Sequence, residues 1–222
     1  MNEEVFIPYR RPHLSAEELV SRSEKYYSEL NTRRTVRQFS KEPVPRPVIE
    51  NIIRTASSAP SGAHKQPWTF CAVSDQELKT KIRKAAELEE RINYGGRMSE
   101  EWLEDLAQFG TDDKKPNLEI APWLIVVFKK PYDVIDGVKK KNYYVSESVG
   151  LATGFLLTAI HQSGLVSLTH TPSPMNFLEK VLERPKNERA YLLIPVGYPA
   201  DDAVVPDLKR KELSEVSEFY EG

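Results

Sequence analysis

Ala59-Pro60-Ser61-Gly62-Ala63-His64-Lys65-Gln66-Pro67-Trp68 lies between a helical pattern and an apolar strand pattern. Two prolines, one glycine and small residues around Ser61 leave few side chains in the way of the backbone. Its N–H groups can therefore come close to a flat or anionic ligand. On the N-terminal side, Pro47 suits a first helical turn, and Val48, Ile49, Ile52, Ile53 and Ala56 repeat with helical spacing as far as Ser57. On the C-terminal side, Trp68 to Val73 reads as a strand.

Further out, Ser15 and Glu18 form a capping-box pattern for a helix to about Leu30, with Leu19 and Tyr26 on one face. Thr35 to Phe39 reads as a short extended segment. Ser74 and Glu77 predict a second capped helix with Leu78, Ile82, Ala85 and Ala86 inward. Leu124 to Phe128 is a continuous apolar run with a β-branched centre, which predicts a central strand buried on both faces. Lys139 to Lys141 reads as a solvated loop. Tyr143 to Ser163 is apolar nearly all round from Val149 onward, so it should be a core helix, stopped by Gly164. Leu165 to Leu168 is a short strand. Ser173-Pro174 opens a helix that ends near Arg184-Pro185, and Tyr191 to Val196 is the last strand. The connections are too irregular for a doubly wound parallel sheet. The expectation is one α+β domain over residues 1–222, a mixed sheet packed by helices. Residues 91–119 stand apart, with Gly95, Gly96, Gly110, charges of both signs and a short helical pattern around Trp102 and Leu106. Such a segment is either a lid or binding loop, or a plain surface excursion.

Composition narrows the function. With 40% hydrophobic residues among 222, the chain can bury a real core, and its net charge of −2 gives no support to general nucleic-acid binding. Cys71 is the only cysteine, so no internal disulfide forms. Its place in an apolar strand predicts a small buried side chain, not a nucleophile. The N-terminus shows no basic and apolar leader pattern, and the most apolar stretch, Val149 to Ile160, is too short to span a bilayer. A soluble protein of a reducing, cytoplasmic compartment is expected. The four histidines are scattered, and no zinc spacing, G-x-S-x-G elbow, P-loop or G-x-G-x-x-G is present. An enzyme built this way takes its hard chemistry from a cofactor.

Two further clusters bear on that cofactor. Arg33, Arg34 and Arg37 follow a helix; guanidinium groups grip phosphate in pairs, and cations also settle at helix C-termini. Arg210 lies in a distant basic cluster and could share the same phosphate. Thr169-His170-Thr171-Pro172 places short hydroxyls on a rigid segment at a strand end. They can donate to a heteroaromatic nitrogen, or simply form the turn before the next helix.

In combination and in this order, these elements resemble the nitroreductase superfamily, and more narrowly its iodotyrosine deiodinase branch. The resemblance runs from about Tyr26 to Arg210. It includes Tyr143-Tyr144 with Glu147-Ser148-Val149-Gly150, Pro195-Val196-Gly197-Tyr198-Pro199, and Val205-Pro206-Asp207-Leu208. The Pro60 to Trp68 block and Val205 to Leu208 are the parts most particular to that branch. The resemblance implies flavin mononucleotide (FMN) bound by Arg33, Arg34, Thr35 and Arg37, by Pro60 and Ser61, by Thr169, His170 and Thr171, and by Arg210. Thr171 is implied as the hydroxyl that hydrogen-bonds flavin N5. For substrate, it implies Glu90 on the α-ammonium of a halogenated tyrosine, Lys115 on its α-carboxylate, Tyr94 bonding to the pair, and the Ala63 N–H on the phenolate. Residues 91–119 would be the lid. The implied assembly is an arm-exchanged homodimer with residues 198–222 as the arm. Electrons would come from a reduced nicotinamide such as NADPH, through a separate reductase. Two rivals stand beside this: a general FMN nitroreductase or quinone reductase, and a non-catalytic flavin or halotyrosine binder.

Overall fold

The computed structural model describes residues 7–221. The chain divides into two compact units that meet in sequence at Arg33 and Arg34. In the first, α1 (Ala16–Asn31) begins where the capping box predicts. Ser15 Oγ accepts from the Glu18 N–H at 3.2 Å, and Glu18 Oε2 accepts from the Ser15 N–H at 2.9 Å. No residue of α1 is buried; Leu19, Val20, Tyr26 and Tyr27 are all exposed.

The second unit runs α2 (Arg46–Ser57), β1 (Trp68–Val73), α3 (Gln76–Ile92), α4 (Glu100–Ala107), α5 (Asn117–Ile120), β2 (Trp123–Lys129), β3 (Tyr132–Ile135), β4 (Val138–Lys141), α6 (Val145–Gln162), β5 (Val166–Ser167), α7 (Asn176–Val181), β6 (Arg189–Gly197) and α8 (Leu213–Val216). Four strands pair in the order β1-β2-β6-β5 with antiparallel ladders. A bridge from Thr35 to Ser167 adds the parallel component, so the sheet is mixed. The Thr35 to Phe39 segment is extended as expected, with Phe39 bridged to Pro199.

Leu124 to Phe128 of β2 is fully buried, and its alternation splits the core in two. Ile125 and Val127 face α2 and α6, with Ile52, Leu156 and Ile194. Leu124, Val126 and Phe128 face α3 and α7, with Ile82, Leu178 and Leu193. The sheet is therefore covered by helices on both faces, the mixed sheet packed by helices that the sequence implies.

The end of β6 is tightly closed. A Cβ on Gly197 would stand 2.5 Å from Pro122 Cδ and 2.9 Å from Pro122 Cγ. A proline ring cannot rotate aside. Gly197→Ala should lower stability by about 2–3 kcal/mol, the usual scale of overpacking. A drop in the urea midpoint at unchanged slope would register it; an unmoved midpoint would mean that the Pro122 segment moves aside from β6 freely.

Several local expectations need correction. α3 is capped by Asp75, whose Oδ1 accepts from the Leu78 N–H at 2.7 Å, not by Ser74. Lys139 to Lys141 is no loop: β3 and β4 pair across Asp136 (φ 51°) and Gly137 (φ 76°), a turn that suits hairpin twist. α7 starts at Asn176 and ends at Val181, because Ser173 is tied instead to Thr171 O through its N–H (2.8 Å) and to Asn93 through its carbonyl (2.9 Å). α6 is buried on one face only; Leu151 and Phe155 are exposed. Cys71 is half-buried, since β1 is an edge strand, and burial pushes its thiol pKa up. Among the described residues no helix is long and apolar enough to cross a membrane.

Candidate active site

Helix α3 turns Ile82, Ala86 and Glu90 to the same buried side by their spacing of four. The first two enter the core. The third carries a carboxylate inward. Beyond Ile92 the chain widens into a π-type turn, Asn93–Arg97, in which Gly96 takes φ 134°. Tyr94 lies on this turn and its hydroxyl donates to Thr111 O at 3.2 Å. Lys115 is placed from the other side. Its N–H donates to Glu87 Oε1 at 2.9 Å, and its Nζ donates to Thr111 Oγ1 at 3.1 Å and to Asp112 O. That Nζ stands 3.8 Å from Glu90 Oε1 and 5.7 Å from the Tyr94 ring centroid. The Glu90 and Lys115 side chains are each only 7% exposed.

Burial raises the Glu90 pKa and lowers that of Lys115, and each opposes the effect on the other. Burial also raises the Tyr94 pKa. Each charge is thus under-solvated, and among the described residues the opposite charge within ion-pair distance of either is the other member of the pair, at 3.8 Å. A ligand carrying both an ammonium and a carboxylate would complete both.

The segment Leu168 to Pro172 is extended and alternates. Leu168, His170 and Pro172 are buried, while Thr169 and Thr171 are exposed. It is sewn to β6 by His170, whose N–H donates to Leu193 O (2.9 Å) and whose carbonyl accepts from the Leu193 N–H (3.0 Å). The His170 pKa is lowered to about 3 by burial first, then by Lys115 and Arg37. Its imidazole is neutral even though Glu90 Oε1 is 3.6 Å away.

A cavity of about 560 Å³ joins the two sets: Glu90, Tyr94 and Lys115 line it together with Arg37, Thr169, His170 and Thr171. Met98, Trp102 and Leu106 add an apolar wall. Arg37 is half-buried, 5.6 Å from the Phe109 ring centroid, and no carboxylate among the described residues lies within ion-pair distance of it.

The remaining candidates lie elsewhere. Arg33 ends the first unit. Arg34 donates to Pro206 O, and Thr35 is bridged to Ser167. Arg210 is exposed on the tail. Pro60, Ser61 and Ala63 do not line the cavity. Their loop packs on the start of α6: the Gly62 N–H donates to Ser148 Oγ at 3.2 Å, and a Cβ on Gly62 would meet Tyr144 Cδ2 at 2.9 Å. Ser61 Oγ accepts from the Gln66 N–H at 2.9 Å, and Ala63 is exposed with φ 48°. Asn93 and Asn117 also line the cavity, and Asn117 Nδ2 is buried without a partner. Neither asparagine stands out in the sequence, because isolated polar residues in a helical stretch carry no periodic signal.

The cavity with its hydroxyls and arginine belongs to a mixed sheet covered by helices, and the chain is a member of the Nitroreductase family, whose model matches residues 30–198. Within that class it groups with the iodotyrosine deiodinases. It is 64% identical to iodotyrosine deiodinase of Haliscomenobacter hydrossis, over 97% of both chains. It is 47% identical to iodotyrosine deiodinase 1 of Homo sapiens, over 95% of this chain and 73% of that one. Among solved structures, oxidized iodotyrosine deiodinase bound to FMN and 3-iodo-L-tyrosine superposes with a TM-score of 0.74 at 33% identity, covering 87% of this chain and 100% of that one. A nitroreductase with bound FMN from Bacteroides fragilis matches at TM-score 0.66 and 18% identity, over 88% and 99%, a likeness of fold alone.

Proposed function

We propose that this chain is an FMN-dependent reductive dehalogenase that converts halogenated L-tyrosines to tyrosine and halide ion. One observation carries this: the buried Glu90–Lys115 pair shares a cavity with Thr169, Thr171 and Arg37. The relative solved with FMN and 3-iodo-L-tyrosine supports the same two ligands here.

The residues present suit FMN. Arg37 is a half-buried guanidinium with no carboxylate among the described residues within ion-pair distance, and Thr169 and Thr171 share the exposed face of one extended segment. Arg34, Arg37, Thr35, Thr169, Thr171 and Arg210 would hold the cofactor. When bound, FMN supplies the electron pair for breaking the carbon–halogen bond, a proton taking the place of the halide.

The chain's own residues do the rest. Glu90 takes the α-ammonium and Lys115 the α-carboxylate, each gaining the opposite charge that burial leaves it short of. Tyr94 hydrogen-bonds to the pair. An ortho halogen lowers the phenol pKa, so a donated Ala63 N–H favours the phenolate. Thr171 would donate its hydroxyl to flavin N5. Residues 91–119 act as the lid that excludes water.

The assembly is a homodimer. Pro60, Ser61 and Ala63 lie off the cavity of their own chain, so a second copy is needed to deliver them to it. Exposed apolar side chains favour such a partner: Leu19 and Tyr27 on α1, Leu151 and Phe155 on α6, and Phe219 and Tyr220 in the tail. Residues 198–222 form the exchanged arm. Electrons arrive from a reduced nicotinamide through a separate reductase, the chain having no dinucleotide-binding motif.

The test is anaerobic. Purified protein should be yellow, and after dithionite reduction it should release one iodide per flavin when L-3-iodotyrosine is added. Reduced flavin that persists with no iodide would identify a binder. Fast reoxidation by nitroaromatics without iodide release would identify a general nitroreductase.

A further inference from the structure

His170 is set apart from the two threonines that flank it. They share the exposed face of the segment, while its side chain is buried on the other. Its N–H and carbonyl are both taken by Leu193, so only the imidazole is left for the cavity it lines. Nε2 is buried, has no hydrogen-bond partner, and stands 3.6 Å from Glu90 Oε1. The same oxygen faces Lys115 Nζ at 3.8 Å. Both distances are slightly longer than hydrogen bonds, and such contacts commonly tighten when a ligand arrives. A neutral imidazole keeps one N–H, which at Nε2 can donate to a carboxylate.

Resting on the dehalogenase assignment above, we propose that His170 is a positioning residue for substrate recognition: its Nε2–H holds Glu90 Oε1 and leaves Oε2 for the α-ammonium of the halotyrosine. Lys115 cannot serve this purpose in the complex, because its ammonium turns to the substrate carboxylate. A buried Glu90 that lost Lys115 with nothing in its place would be free to swing and poorly solvated. His170 fills that place. It thereby ties the site to ligands that carry an amine.

Titration calorimetry on the FMN-loaded protein tests this with two ligands. One is L-3-iodotyrosine; the other is 3-(4-hydroxy-3-iodophenyl)propanoate, which keeps the carboxylate and phenol but lacks the amine. His170→Leu should weaken iodotyrosine binding about tenfold, the scale of one charge-assisted hydrogen bond, and change propanoate binding by less than about twofold. His170→Gln, whose amide reaches the Nε2 position, should restore most of the loss. His170→Asn is too short and should not, and this pair decides the matter if the leucine variant fails to fold. Equal loss for both ligands would show that His170 only fills space, and undiminished iodotyrosine binding would overturn the proposal outright. Wild-type protein that takes up neither compound would remove the dehalogenase assignment itself, and this proposal with it.

Discussion

Glu90→Ala and Lys115→Ala should each weaken L-3-iodotyrosine binding about 100-fold, with a smaller loss for Tyr94→Ala. The magnitude follows from where the pair lies. Both side chains are nearly sealed from water, so neither substrate charge can recover a lost partner from solvent. A hydrogen bond to a charged group contributes about 1.5–3 kcal/mol, and leaving the opposing charge buried adds to the loss. Folding responds differently. Glu90→Ala strands the Lys115 ammonium, whose pKa burial already lowers, and Lys115→Ala strands the Glu90 carboxylate. The double variant removes both stranded charges. It should therefore regain part of the stability lost by either single variant, yet regain none of the affinity. Calorimetry for affinity and urea unfolding for stability separate the two. Unchanged affinity in all three single variants would sink the zwitterion clamp.

Thr171→Ala should slow iodide release by about 100-fold, the cost of removing one preorganised donor at a reacting centre. FMN affinity should fall only a few-fold, because a single neutral hydrogen bond contributes about 1 kcal/mol. The backbone should stay in place, since the segment is held by the two His170–Leu193 bonds and not by the threonine hydroxyl. The contrast can be read in anaerobic single turnovers normalised to bound flavin. Loss of flavin with an unchanged rate per flavin would contradict the role given to Thr171.

The sheet and its helices were readable where one physical signal dominates. Leu124 to Phe128 has a β-branched apolar run that only a doubly covered strand can bury, and it is fully buried. Ser15 and Glu18 make their capping box because both partners are local. Local pattern fails where a neighbour distant in sequence decides. Lys139 to Lys141 looks like a solvated loop until β3 offers it a ladder. Ser173 looks like a helix cap until Asn93 claims its carbonyl. In the candidate site, Glu90 and Lys115 are ordinary charged residues whose pairing no local pattern announces; only the family resemblance picked them out. His170 stands between two threonines in the sequence, but extended backbone turns it the other way, toward a carboxylate from α3.

One connection, the path from β1 to β2, supplies Glu90, Tyr94 and Lys115, while β6 anchors the segment that bears the threonines. On the proposed assignment the main grip on the substrate thus rides on one connector, with Ala63 and His170 contributing from outside it, and the redox work on another piece of polypeptide. Grafting another connector between the same two strand ends would redirect such a protein to a new class of molecule and leave its redox floor intact. The architecture is in that sense a chassis, open to laboratory evolution at one replaceable part.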